Sequence, residues 1–371
     1  MQIQTLEAYS FPVPFRQVFR HASASRGRAE NVIVAARSDH GEVGYGEGCP
    51  RHYVTGETVE TAARFIARHR VELARGVGGV HDLRAWIDGH RDDIDRNPAA
   101  FCAVELAILD LAGQVSGRTV EEVLGLPRLD GSFGYSAVLG DAPLPAYWWQ
   151  FRRYRREGFR DFKVKLSGRR GRDRRKLAVF RSRPDLRVRL DANNLGNDAE
   201  GFVRHLQALD ADIFAVEEPL QAGDIDGFRK VAQACQTRII LDESLLRAEQ
   251  LDALDDAGTW IVNLRVSKQG GLIRSLALTD RAVRQGLGVI VGAQVGETSL
   301  LTRAGLSVMH ACGSALAASE GAFGTHLLRR DLAEPCLMFG PGGVLSTKAL
   351  TGPGLGLRVA GTGLCPLALP G

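Results

Sequence analysis

The sequence predicts a (β/α)8-type barrel that follows an N-terminal α+β domain. From about residue 133, short apolar β-branched runs alternate with amphipathic helical stretches. Eight such runs can be counted, the number a closed barrel needs. Polar residues recur at their ends with a near-constant step: Lys165, Asp191, Glu217, Asp242, Lys268, Gln294 and Glu320 are separated by 26, 26, 25, 26, 26 and 26 residues. A doubly wound sheet is the alternative, but no Gly-rich nucleotide turn marks a switch point.

The first 130 residues form the α+β part. Residues 31–38 and 42–47 are strand-like runs joined by Asp39-His40-Gly41, a hairpin signal. Residues 57–75 and 98–113 carry helical periodicity, and Asn97-Pro98 reads as a capping residue followed by a first-turn proline. The GYGEGC run at 44–49 superficially resembles a phosphate cradle, but its place between a hairpin and a loop argues against one. The barrel spans 131–334, with strand candidates at 133–139, 161–166, 186–191, 213–218, 238–243, 260–268, 288–294 and 315–320. Seven helices are expected between them, among them DAEGFVRHLQALD and GLIRSLALTDRAVRQG. The segment from about 335 to 371 is expected to pack back on the N-terminal domain.

Composition narrows the class. With 371 residues, 44% hydrophobic and 24% charged, the chain reads as soluble and globular. No apolar run approaches the ~20 residues of a membrane span, and MQIQTLEAYSF lacks the features of a signal peptide. A net charge of +4 without aromatic-basic motifs gives no reason to expect nucleic acid. RRYRREGFR (152–160) reads as a solvated helix face, while SGRRGRDRRK (167–176) starts near the barrel mouth and suits steering of an anionic substrate. Six scattered cysteines without a Cys-x-x-Cys pair suggest reduced thiols and a cytoplasmic setting. His21, His52 and His310 lack metal-ligand spacing.

Seven polar residues in phase belong at one end of a barrel, the C-terminal mouth where active sites are built. Asp191, Glu217 and Asp242 fall on consecutive strands, which lie ~4.8 Å apart, so their carboxylates can converge. Three clustered carboxylates need a cation to stay ionised. All-oxygen ligation favours Mg2+ before Mn2+ or Ca2+. Glu218 and Glu243 alternate to the other face, although Glu218 can still act from behind. Lys165 and Lys268 fall on strands four apart, on opposite sides of the ring. Lys163 shares the face of Lys165. Only six of the 47 basic residues are lysines, and half of these are here. Lysine, unlike arginine, can be tuned by burial or a neighbouring ammonium to act as a base. These parts predict a divalent ion on a substrate carboxylate and a lysine on either face to take or return the α-proton.

FKVKLSG, LDANN, VEEPL, LDES and NLRVSKQGGL, in this order and after AFCAVELAILDLAGQVSGRTVEEVLG, resemble the muconate-lactonizing subgroup of the enolase superfamily. The resemblance covers nearly the whole chain. It implies an α+β capping domain over a modified (β/α)8 barrel, Mg2+ at Asp191, Glu217 and Asp242, and acid/base lysines at Lys165 and Lys268. Lys163 would orient the substrate carboxylate, and a homo-oligomer is expected. Two capping loops, about 14–29 and 49–57, would offer Arg16, Phe19, Arg20, Arg51 and Tyr53 to the substrate, arginine suiting a second carboxylate. Gln294, Glu297 and Glu320 complete the substrate-facing candidates, although Glu297 equally suits a helix N-terminus. Strand 8 reads Ser319-Glu320-Gly321, where many dipeptide epimerases carry Asp-x-Asp, so the dipeptide pattern is not met. The expected activity is Mg2+-dependent racemisation or epimerisation of an N-acylamino acid or related small-molecule carboxylate through an enolate. A muconate-type cycloisomerase or an o-succinylbenzoate-synthase-like lyase is the alternative. A non-catalytic binding protein on the same fold is the third, and would be favoured by a lost ligand or lysine, but none is lost.

Overall fold

The computed structural model describes residues 1–20 and 25–369, with the backbone alone for 17–20 and 25–26. An antiparallel meander opens the chain: β1 (Ile3–Arg20), β2 (Ser25–Ser38) and β3 (Val43–Gly48). The hairpin signal at 39–41 therefore joins β2 to β3. Strand β1 has no counterpart in the sequence reading, because Pro12 and Pro14 break its alternation. Helices α1 (His52–Thr55), α2 (Val59–Gly76), α3 (Val80–Gly89), α4 (Arg91–Arg96), α5 (Pro98–Ser116) and α6 (Val120–Leu124) complete this part.

Helix α5 lies directly on β3. A Cβ at Gly44, Gly46 or Gly48 would run into α5 backbone at Leu111, Ala103 and Ala99 respectively. The alternating glycines of GYGEGC thus allow a helix to approach a strand and form no phosphate cradle. Among the described residues, α5 is long and apolar enough to cross a membrane, and 78% of that window is buried inside the protein. Glu105 and Asp110 interrupt its apolar run, which is why no such span stands out in the sequence. Asn97 does not cap α5 as predicted: its side-chain amide donates to Asp93 O at 3.0 Å. The first-turn N–H groups of Ala99 and Ala100 donate instead to Glu57, at 2.9 and 3.0 Å.

The barrel follows a short strand, β4 (Ser132–Gly134). Its order is β5 (Ala137–Leu139), α7 (Leu144–Arg156), β6 (Asp161–Lys165), α8 (Arg170–Leu177), β7 (Arg187–Asp191), α9 (Ala199–Gln207), β8 (Ala215–Glu217), α10 (Ile225–Cys235) and β9 (Arg238–Leu241). It continues with a 3-10 turn (Ala248–Ala253), β10 (Trp260–Leu264), α11 (Leu272–Arg284), β11 (Gly288–Val291), α12 (Ser299–Cys312) and β12 (Leu316–Ser319). Strands β5 to β12 form one sheet of eight in chain order, with parallel neighbours. Ser136 N–H donates to Ser319 O at 2.9 Å and joins the first strand to the last. Among the described residues, one of the seven expected helices is absent. Between β9 and β10, the turn formers Asp255, Asp256 and Gly258 leave room only for the 3-10 turn. Inside the barrel, Ala215, Ile240, Ile261, Ile290 and Ala318 pack as a layer.

The C-terminal segment adds β13 (Ala333–Glu334), β14 (Val344–Ser346), β15 (Arg358–Val359) and β16 (Cys365–Pro366). Strand β14 pairs with β4, and β16 pairs with β1 through Tyr9↔Pro366 and Ser10↔Cys365, so the chain returns to its first sheet.

Candidate active site

Strand register sets the site. Lys165 faces Asp191, and Asp191 faces Glu217, as direct partners on β6, β7 and β8. Asp242 follows β9 by one residue and Glu320 follows β12 by one. The predicted strand 260–268 runs too long, and Lys268 lies beyond the end of the observed one. Strand β10 ends at Leu264, and Lys268 sits in a turn closed by Gln269 N to Arg265 O and Gly271 N to Val266 O, both 3.0 Å. The 26-residue phase survives because the turn still lies at the mouth.

Cations flank the three carboxylates, Lys163 and Lys165 at Asp191 and Glu217, Lys268 and Arg265 at Asp242. The Lys163 ammonium lies 3.3 Å from Asp191, 2.7 Å from Glu217 and 3.2 Å from Glu320. Burial alone would lower its pKa, but these three carboxylates raise it well above the ordinary lysine range. Lys165 lies 3.6 Å from the same Asp191 oxygen and donates to Asn193 Oδ1 at 3.2 Å. On the other side, buried Lys268 donates to Asp242 O at 2.6 Å, Asp242 Oδ1 at 2.8 Å and Asn263 O at 3.1 Å. Burial and then the Arg265 guanidinium push Lys268 down to about 7. Arg265 itself pairs closely with the second Asp242 oxygen. For Glu320, burial would raise the carboxyl, but Lys163 and then Arg189 bring it down to about 2.

Glu218 has a defined task behind this ring. Its carboxylate accepts Asp242 N–H at 2.7 Å, Ser244 N–H at 2.8 Å and the Ser244 hydroxyl at 2.7 Å. It therefore holds the backbone that presents Asp242. Glu243 lies two residues past the end of β9, and its Oε2 is buried. Burial and then the charges of Glu218, Glu217 and Asp191 raise its carboxyl to about 7. The donor set fits a hard divalent ion. Glu243 Oε2 and Asn263 Oδ1 are buried oxygens without a hydrogen-bond partner, while Glu217 Oε2 faces the Lys163 ammonium at 2.7 Å.

Residues 149–362 match the family described as Enolase C-terminal domain-like. The chain belongs to the enolase superfamily. The L-Lys-D/L-Arg epimerase of Methylococcus capsulatus is 30% identical over 366 residues, 96% of this chain and 99% of that one. The N-succinyl-L-Arg/Lys racemase of Bacillus cereus is 25% identical over 317 residues, 83% of this chain and 84% of its own. A solved structure, the Methylococcus capsulatus dipeptide epimerase complexed with Mg and the dipeptide L-Arg-D-Lys, matches with a TM-score of 0.82 at 30% identity, over 97% of this chain and 100% of that one.

The substrate-side candidates of this superfamily member fare unequally. Arg51 is fully buried, and all five guanidinium N–H bonds are spent on the protein. They go to Val295 O at 3.3 and 2.7 Å, Glu30 O at 3.2 Å, Pro50 O at 3.0 Å and Asn31 Oδ1 at 2.8 Å. Arg51 is thus a pin between the 49–57 loop and the loop after β11, with no donor left for a substrate. Arg16 is exposed and donates to Thr325 O at 2.6 Å. Tyr53 is half-buried on α1. The side chains of Phe19 and Arg20, and all of His21, lie outside the described residues. Gln294 is buried and accepts Arg265 Nη1 at 3.2 Å. Glu297 accepts its own loop's Gln294 N–H at 2.5 Å, and burial raises it to about 8. It is not the cap of α12, a role taken by Thr298. Sequence reasoning missed Arg189, Arg265 and Asn193. Arg189 was open to discovery, since it stands two residues before Asp191 and shares its face.

Proposed function

We propose that the protein is an Mg2+-dependent racemase or epimerase that removes and returns the proton α to the carboxylate of an N-acylated amino acid. A dipeptide and an N-succinylamino acid share this core, an acylated α-nitrogen beside a carboxylate, and both kinds of substrate appear in the names of the relatives. The observation that carries the reading is the placement of Lys165 and Lys268 on opposite flanks of the arc formed by Asp191, Glu217 and Asp242. Asp191, Glu217 and Asp242 would hold Mg2+, which supplies positive charge where the substrate carboxylate gains negative charge in the transition state.

The chain's own groups divide the remaining work. Lys163, held as an ammonium by three carboxylates, binds and orients the substrate carboxylate and keeps its proton. One of Lys165 and Lys268 accepts the α-proton from its face as a neutral amine. The other, as an ammonium, gives a proton to the opposite face, and the roles exchange for the other stereoisomer. A homo-oligomer in the cytoplasm belongs to the same reading, supported by the family resemblance and by six free thiols.

The test is α-proton exchange in D2O with Mg2+, with and without a chelator, across N-succinyl and N-acetyl amino acids and dipeptides. Chelator-sensitive exchange into both stereoisomers is expected. Lys165→Ala and Lys268→Ala should each abolish racemisation while leaving exchange from one enantiomer only. Reaction of a single stereoisomer in the unaltered protein would instead favour the cycloisomerase or lyase chemistry.

A further inference from the structure

A second group of ligating side chains lies in the N-terminal domain, on α2 and at the α3–α4 junction. His69 and Glu72 stand one turn apart on α2, and His90 joins α3 to α4. Their ligand atoms all lie within 4.8 Å of one another.

The hydrogen bonds around the two rings fix what the group offers. His69 Nε2 faces Asp93 Oδ2 at 3.1 Å. Asp93 is also bound by Arg96 at 2.6 Å and lies 3.6 Å from Arg68, so it is a carboxylate that accepts the His69 Nε2 proton. His90 Nδ1 faces Trp86 O at 2.9 Å, and a carbonyl can only accept. Each neutral imidazole then has its proton on the outer nitrogen and a lone pair on the inner one. Those two lone pairs, His69 Nδ1 and His90 Nε2, point at opposite oxygens of Glu72, at 3.6 and 3.5 Å. Three acceptors facing one another can share a cation between them.

The spacing suits a particular one. Bonds of 2.0–2.2 Å to nitrogen and oxygen in tetrahedral geometry put neighbouring ligand atoms about 3.3–3.6 Å apart. Two imidazoles and a carboxylate suit a borderline transition ion better than Mg2+ or Ca2+. Metal-bound histidines that donate their other N–H to a carboxylate or a carbonyl are the usual supporting arrangement. The rings are also held: His90 stacks on Trp86 at 3.9 Å between centroids, and His69 meets Trp86 edge-on at 5.3 Å. Glu72 is 52% exposed, which leaves the fourth position open to water.

We propose that His69, Glu72 and His90 form a Zn2+ site that clips α2 to the α3–α4 junction, apart from the active site. The experiment uses the full chain, stripped with a chelator and then reloaded with excess Mg2+ so that the barrel carboxylates are occupied. Zn2+ alone is the probe, by equilibrium dialysis and by thermal unfolding, and Co2+ is the spectroscopic stand-in. One Zn2+ should be retained in excess Mg2+, and Co2+ should give the visible bands of a low-coordinate site with nitrogen ligands. Glu72→Gln, an exposed change that keeps the fold, should weaken Zn2+ binding at least tenfold and remove the Zn2+-dependent rise in Tm. Asp93→Asn should weaken it about 10–100-fold by releasing the His69 ring. His90→Gln should abolish the cobalt bands. Proton exchange in the barrel should be unchanged in Glu72→Gln. Equal Zn2+ affinity in the protein and in Glu72→Gln, or no Zn2+ retained beyond the Mg2+ site, would overturn the proposal.

Discussion

Arg189 on β7 and Glu320 beyond β12 are held 2.9 Å apart, and the second Glu320 oxygen lies 3.2 Å from Lys163. Arg189 also pairs closely with Asp161 and donates to Ser136 Oγ at 2.9 Å. Glu320 is therefore engaged by two protein cations, which leaves it poorly placed to receive a substrate ammonium on its own. Removing Arg189 would leave Glu320 with Lys163 alone and Asp161 with Arg187 alone, so the cost falls below the about 3–5 kcal/mol of a fully uncompensated buried charge. Arg189→Met should lower unfolding free energy in urea by about 1–3 kcal/mol. Adding Glu320→Gln should recover part of it by removing the less well compensated charge. Additive losses in the double variant would show that the two residues do not act as a pair.

Glu218 acts on Asp242 through the backbone, and this gives it a distinctive mutational signature. One of its oxygens takes two N–H groups, while the other meets only the Ser244 hydroxyl, which can rotate to accept. Glutamine can reproduce that pattern and alanine cannot. Glu218→Ala should weaken Mg2+ binding about 10–100-fold, as losses of ligand-orienting groups do, and Glu218→Gln should stay within a few-fold of the unaltered protein. Isothermal titration with Mg2+ reads both. Equal loss in the two variants would mean that the charge of Glu218, rather than its geometry, matters.

The barrel and its ring were legible because one βα unit has a near-constant length, so a repeating residue step reports a repeating position in space. The lysine and carboxylate identities followed from that phase. Long side chains were not legible, because their endpoints depend on partners distant in the chain. Arg51 finds Val295 O, 244 residues away, and no local pattern announces that carbonyl. Lys268 lies past the end of β10 because Arg265 to Gly271 fold into a turn, whereas a run of apolar residues reads as continuous strand. Strand spacing says nothing of Arg265, whose guanidinium pairs with Asp242.

Arg51 offers a direct contrast between a pin and a substrate ligand. Lysine would keep the charge but cannot serve four separate acceptors in a planar fork. Arg51→Lys should cost about 1.5–3 kcal/mol of stability, the usual value of a hydrogen bond to a charged group. KM for whichever N-acylated substrate reacts should stay within about twofold. A large rise in KM with unchanged stability would return Arg51 to the substrate side.

Glu105 couples the two parts of the chain to pH. It sits on α5, and its carboxyl receives the N–H groups of Leu272 and Ile273 at the start of barrel helix α11. Burial raises its pKa from 4.5 to about 8, against the pull of those two N–H groups. Glu47 and Glu57, also buried at helix starts, are raised in the same sense to about 7. A raised acid holds a proton in the folded chain that the unfolded chain has already released. The stability from Glu105 is therefore fully present below about pH 4.5 and lost as pH rises through about 8. One group contributes at most ~1.4 kcal/mol per pH unit across that window. Glutamine cannot titrate, so the stability gap between the unaltered protein and Glu105→Gln should narrow as pH goes from 5 to 8. Denaturant titrations at four pH values read this difference and cancel the titration of other groups. A gap that stays constant, or widens toward pH 8, would show that the helix N-terminus keeps Glu105 ionised throughout.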